Sequence, residues 1–551
     1  MRLSGRVALC AALLGTSAAF TSCNSDPTSG GEDPPRTAND ILTVTASGAA
    51  SVAVLSNDQK LDNEPLTFAI DADPTVGRAS FNADRTVRLE LPEGFRGVTR
   101  FRYKVTNALG GFSTSTAVVF VDVPAYRVAF TARNASQNQE IYVSDLISST
   151  QISQATTGNL RLQNAWRSPR GSVIVYDRAD PAQVAVTTER FYVRTTPIAS
   201  PVRIQQPLGR SFLGSAPVVM SEDGRYIAFA TAPTSSGGQA NNLYVLDTNG
   251  SGSAALVDLS ANLLASLTQW SEGQPTLYFM SAPAGGGAAI YRAATGSLDS
   301  PERVSPIYAA ADTHAQMSVS PDQTKIVLVG THGNQNGAFL IDPANPSSER
   351  RLTTDMPAGA LIESFYINED FTELTYLWRI GNVANARVSV VPVASTGTPA
   401  TVIEADIQSL SDLRLDGEAA LITLGSGSGD GTLWEVSLDR SVPAQRVATN
   451  VSGGVYDDSG DQVYLFSGTV APAVVHRASF GRDALALVRS NTPPLALYVA
   501  PSDARTAAIV EDPTSGLVLV NAAAPGSTLR LTDLQVGTLS SATLLPDVIV
   551  Q

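Results

Sequence analysis

From Thr37 onward the chain is written in short runs of alternating apolar and polar residues, each closed by turn residues. Ser51 to Leu55 ends at Asn57-Asp58, and Leu66 to Ile70 ends at Asp71-Ala72-Asp73-Pro74. In Thr86 to Leu91 the residues Val87, Leu89 and Leu91 share one face. Phe101, Tyr103 and Val105 do the same before a turn at Asn107 to Gly111, and Ala117, Val119 and Val121 close the series. Period two places alternate side chains on opposite faces of a strand, so this stretch predicts a small antiparallel β-sandwich over residues 37–124.

A larger unit recurs from Tyr126. It holds a turn of the form Ser-Pro-Asp-Gly or a variant, a β-rich strand, a variable loop, a strand ending in Asp, and a short last strand. The stretches "WRSPRGSVIVYD", "VVMSEDGRYIAFAT", "QWSEGQPTLYFMS" and "MSVSPDQTKIVLVG" show it clearly, and weaker copies continue to "VAPSDARTAAIVED". The central strands begin near Arg127, Val173, Tyr226, Thr276, Lys325, Glu373, Ala419, Gln462 and Thr506, a period of about 43 to 53 residues. Four short strands at that period predict a β-propeller over residues 125–551, because a lone blade has two apolar faces and must stack between neighbours. Nine units are countable. The expectation is about eight blades (seven to nine), with one divergent unit as an irregular blade or long connection. The first unit lacks a leading strand, and "LSSATLLPDVIV" near the chain's end reads as its replacement. The fold class is therefore all-β.

Two resemblances accompany these readings. "VAVLSNDQKLDNEPLTFAI" and "GRASFNADRTVRLELPEGFRGVTRFRYKVTNALGGFSTSTAVVFV" resemble the cadherin-like, Ig-like modules of bacterial surface proteins. That resemblance implies either a Ca²⁺ site or a solvated turn in the acidic loop, with Asp58, Asp62 and Glu64 as the candidate ligands beside Asn57 and Asn63. Lys60 stands among them, and the solvated turn is the reading adopted. "VAFTARNASQNQEIYVSD", with "IAF" and "RLT" elsewhere, resembles the TolB family and WD40-like periplasmic propellers; the likeness fades after about residue 360, where the turns lose Pro.

Ahead of the β-rich part, Arg2 and Arg6 precede the apolar run Val7 to Leu14, and small residues lead to Cys23. Residues 1–22 predict a secretory signal, whose apolar run is too short to span a bilayer on its own. Phe20-Thr21-Ser22-Cys23 resembles the bacterial lipobox, with Phe where Leu is commoner, which implies lipidation of Cys23. Of the two cysteines, Cys10 would leave with the signal, so the mature chain would hold no internal disulfide. Residues 23–36, rich in Pro, Gly and Ser, predict a disordered tether. Asn24 after the cysteine leans, by resemblance, toward the outer membrane.

The formal charge of −14 becomes −16 without the two signal arginines, which disfavours nucleic acid and anionic membrane surfaces as partners. The three histidines, His314, His332 and His476, are not spaced as metal ligands and read as scattered. "GSGSG" at 425–429 is a low-complexity loop and not a nucleophile elbow. The acid pairs Glu222-Asp223, Glu369-Asp370 and Asp457-Asp458 all fall at the repeat's own turn. Trp166 and Trp270 share one phase of the repeat and read as packing positions. No catalytic residues and no cofactor are expected. The expected function is a lipid-anchored envelope protein that binds or scaffolds a protein partner through its propeller; the alternative is a divergent carbohydrate-binding or carbohydrate-active propeller acting on a glycan.

Overall fold

The computed structural model describes the chain between residues 34 and 546, with interruptions in connecting segments; beyond residue 456 it describes strands alone. Every described regular element is a strand.

The first domain is a sandwich of two sheets. One has the order Asp40–Val44, Phe112–Val121, Gly97–Thr106, Thr67–Ala72; the other has Ala49–Val52, Val87–Glu90, Arg78–Phe81. Val87, Leu89, Phe101, Tyr103, Val105, Ala117, Val119 and Val121 meet in its core, as the period-two pattern requires. One pair departs from the antiparallel expectation: Asp40–Val44 runs parallel to Ala117–Val121. The opposite face of the larger sheet is also covered around Val98, Val118 and Phe120, none more than 1% exposed. On that face Arg100 Nη1 donates to the Leu146 carbonyl at 3.0 Å, so the sandwich rests against the start of the second domain.

Among the described residues the second domain shows nine blades, the upper end of the expected range. Blade 1 holds Tyr126–Arg133, Gln139–Ser144 and Ser149–Gln151, and its inner edge is completed by Thr543–Pro546 from the end of the chain. Thr543 pairs with Ala129 and Leu544 with Val128, which is the closure expected from the missing first strand. Blades 2 to 9 begin with innermost strands at Arg161–Arg167, Arg210–Leu213, Ala261–Trp270, Thr313–Val319, Ala360–Ile367, Ile407–Leu413, Gly453–Tyr456 and Leu497–Val499. The divergent unit is a regular blade. Irregularity sits in blade 3, whose inner strand is split and gains Val186–Thr187 from the preceding unit as an extra strand.

The second strand of a blade is covered on both faces, so its residues need not alternate. Val173–Ala179 is buried at all seven positions, and Ala419–Leu424 at five of six. The turn before it has a recurring hydrogen-bond plan. Ser168, Ser221, Ser271 and Ser320 each use Oγ to accept the N–H five residues on, at 2.9–3.1 Å. Ser221 and Ser320 also donate to Asp223 and Asp322, at 2.7 and 2.6 Å. In blade 6 Asn368 Oδ1 takes over, accepting from Glu373 N–H at 2.9 Å. The turn's fourth residue needs positive φ: 68° at Gly171, 71° at Gly224 and 76° at Gly417, but also 60° at Gln323 and 55° at Phe371. After the third strand, Asp145, Asp247 and Asp342 accept backbone N–H groups two residues on, as capping acids do.

Gly224 has a second constraint, because a Cβ there would stand 2.8 Å from Ser172 Oγ and from Val173 Cγ2 of the neighbouring blade. Gly224→Ala is therefore expected to lower the propeller's stability by about 1–3 kcal/mol, measured as the shift of its thermal transition. An unchanged transition would show that the turn does not need this conformation.

Candidate functional site

The innermost strands form the wall of the central channel, and their chemistry decides what the channel offers. Among the described residues they carry two acids, Glu363 and Asp412. Arg379 Nε donates to Glu363 Oε1 at 2.8 Å, and Asp412 Oδ2 accepts Tyr456 N–H at 2.9 Å from the next blade. Both are in structural use. The turn pair Glu222-Asp223 is likewise occupied: Glu222 pairs with Arg170 at 2.6 Å, and Asp223 accepts Arg225 N–H at 3.0 Å. Asp457-Asp458, Glu369 and residues 426–430 lie outside the described residues.

Two histidines that look unrelated in sequence meet in blade 5. His314 is the second residue of the innermost strand and His332 ends the second strand, so they stand almost symmetrically about the turn at Gln323. That symmetry was the available signal, and the expectation of scattered histidines overlooks it. His332 Nε2 is 3.3 Å from His314 Nδ1, and His332 Nδ1 is 3.1 Å from Glu349 Oε1. Tyr308 lies over both rings at 4.4 and 4.8 Å between centroids, and Phe339 stacks on His332 at 3.9 Å. Burial, then the neighbouring imidazole, pushes His314 down to about 4. It is neutral at physiological pH. His476 lies in the strand Val474–Ser479 of blade 8. Among the described residues no group of three or more His, Cys, Asp or Glu is placed to hold a metal ion.

The tryptophans pack. Trp270 stacks on Tyr226 at 5.7 Å and donates Nε1–H to the Val219 carbonyl at 3.2 Å, joining blades 3 and 4. Trp166 covers Arg190, a residue whose burial was not foreseen. Arg190 is 0% exposed, forms a two-pronged pair with Asp177 at 2.6 and 2.7 Å, and also faces the rings of Phe212 and Phe229. Nearby, Arg178 pairs with the buried Glu140 at 3.1 Å, and Ser153 donates to the same carboxylate oxygen at 2.6 Å.

In the sandwich, Asp58 is turned inward. Its Oδ1 accepts Ala38 N–H at 2.7 Å, and both its oxygens stand 3.1–3.2 Å from the Tyr103 hydroxyl. Asp40 Oδ2 and the Val54 and Ala38 carbonyls surround the same hydroxyl at 2.9–3.1 Å. Ca²⁺ would need six to eight oxygens at about 2.3–2.6 Å around itself. Here the tyrosine hydroxyl occupies the middle of the oxygen group, so Asp58 as placed does not fit a Ca²⁺ ligand. Asp62, Glu64 and the lipidation candidate Cys23 lie outside the described residues.

With this geometry in view, comparison with known proteins gives one family. Residues 32–120 match the bacterial Ig domain. That match is the sandwich; it covers a small part of the 551-residue chain. No curated protein matches the sequence. Among solved structures, TolB from Acinetobacter baumannii is similar at 12% identity and a TM-score of 0.30, over 74% of this chain and 93% of that one. The Dos1 propeller is similar at 10% and 0.39, over 76% and 96%. An oligogalacturonate lyase from Vibrio parahaemolyticus is similar at 11% and 0.35, over 76% and 98%. Nothing about activity or partners follows from likeness at this level.

The buried ion pair makes a testable demand. Removing one partner strands a charge between packed blades. Asp177→Ala is expected to cost about 3–5 kcal/mol in thermal or denaturant unfolding. The apolar double replacement Asp177→Leu with Arg190→Met should recover most of that loss.

Proposed function

We propose that the protein is an envelope lipoprotein, anchored through Cys23, whose propeller acts as a binding or scaffolding module for a protein partner. One observation carries the choice of binding over catalysis: the acids on the described channel wall, Glu363 and Asp412, are engaged by Arg379 and by the Tyr456 backbone. A carbohydrate-active propeller would need such acids free to donate or accept a proton at a glycosidic bond. The bacterial Ig-domain match fits an envelope protein, and the lipobox-like Phe20-Thr21-Ser22-Cys23 supplies the anchor. Loops between blade strands offer the contact surface.

The test is to fractionate cells and capture partners from a detergent extract, with Cys23→Ala as the control. The wild-type protein should pellet with membranes and recover a defined envelope protein, while Cys23→Ala should appear in the soluble fraction. Equal membrane association of the two would remove the anchor from this reading. Recovery of a glycan without any protein would favour the carbohydrate alternative.

A further inference from the structure

The Tyr103 hydroxyl poses a proton-counting problem. Five oxygens stand within 2.9–3.2 Å of it: Val54 O, Ala38 O, Asp40 Oδ2 and both oxygens of Asp58. One hydroxyl carries one proton and can donate to one of them. Two ionised carboxylates held against the same oxygen atom would repel both it and each other. Asp40 is 3% exposed, so solvent does little to relieve this. The segments that pack here carry few other charges. Loop 54–58 contributes Asp58, the strand Gly97–Thr106 contributes Tyr103, and the strand Phe112–Val121 approaches with Ser113 and Ser115. Arg36 and Lys60, at the flanks, are exposed. A second proton, held on the carboxyl pair, satisfies the group.

The three polar groups tie down one particular segment. Asp40 begins the edge strand Asp40–Val44, which pairs in parallel with Ala117–Val121 and is the first described strand of the chain. Ala38 is held by Asp58, and Thr37 N–H donates to Ser113 Oγ at 3.2 Å. We infer that Asp40, Asp58 and Tyr103 form a proton-binding latch that fastens the N-terminal strand to the sandwich and loosens it as the pH rises. Its meaning at a membrane rests on the anchor proposed above; the latch itself does not.

The direction follows from linkage. Burial is the main cause that pushes Asp40 up to about 7 from 3.8, and it also raises Asp58. Between those values the folded module holds a proton that the unfolded chain releases. The latch therefore contributes most at acid pH and is lost as pH climbs through the folded value.

Hydrogen–deuterium exchange of the full chain tests this, read at the peptide covering residues 37–44 and corrected for intrinsic rates. Protection of that peptide should fall by about tenfold or more between about pH 5 and pH 8, while blade 2 peptides stay constant. Asp40→Asn keeps a neutral group of the same shape and should hold the peptide protected at both pH values. Asp58→Asn is the second variant should the first fail to fold. Equal wild-type protection at the two pH values, or the wild-type slope persisting in a folded Asn variant, would overturn the latch. Because the readout is local and needs no membrane, Cys23→Ala should keep the same slope, and equal membrane association of Cys23→Ala and wild type would sink the anchor alone.

Discussion

Everything in the larger domain follows from one constraint: a four-stranded blade has an apolar surface on each side and hides neither alone. The second strands express this directly, with Val173–Ala179 buried along its whole length. Each blade therefore needs a neighbour on both sides, and a row of blades has two ends with none. Pairing Thr543–Pro546 with Tyr126–Arg133 places both ends of the domain in one sheet. The chain's last strand thus removes two exposed surfaces and two sheet edges at once.

The same constraint governs the charges. In a sandwich with a wet face, an arginine at an outward position simply points to water. Between stacked blades no outward face exists, so Arg190 is held by Asp177 on an adjacent strand of its own blade and by rings contributed from the next. Tyr456 solves a similar problem between blades 7 and 8, donating to Glu435 at 2.8 Å while its own N–H is taken by Asp412. Such groups add little net stability over well-packed apolar residues, yet either partner alone would be costly. Their directional bonds fix how one blade sits on the next, which apolar contact by itself leaves loose.

Features set by local chemistry were readable from the sequence. The Ser-x-Asp-Gly turns, the capping Asp145, Asp247 and Asp342, and the closing strand each depend on residues close together in the chain or on one period. The nine units are also countable on their period, and the nine described blades fall within the expected range of seven to nine. What stayed hidden depends on pairs joined only by folding. His314 and His332 meet because two strands run antiparallel around Gln323. Asp40 finds Tyr103 across 63 positions, and the pairing of Asp40–Val44 is parallel, which no local turn announces. Nothing close to Arg190 in the chain marks it as buried, because its neighbours Phe191 and Tyr192 suit a half-wet strand as well as a buried one.

The junction between the domains bears on what an anchor would accomplish. A spacer joined only by a flexible link would let the propeller take any orientation. Instead Val98, Val118 and Phe120 are withdrawn from water on the face that should be the wet side of the larger sandwich sheet. Arg100 crosses from that face to the Leu146 carbonyl, on the turn beside Asp145 in blade 1. Leu146 itself is buried and adopts positive φ, so the turn is shaped for the contact. The sandwich thus belongs to the propeller mechanically, and on its other side Arg36 is bridged to Gln59 in both directions, at 3.1 and 2.9 Å. A force arriving from the N-terminal side would act first on the Arg36–Gln59 bridge and the bonds of Thr37 and Ala38, and next on the parallel edge strand that begins at Asp40, so the carboxyl pair and the tyrosine stand directly behind the first contacts.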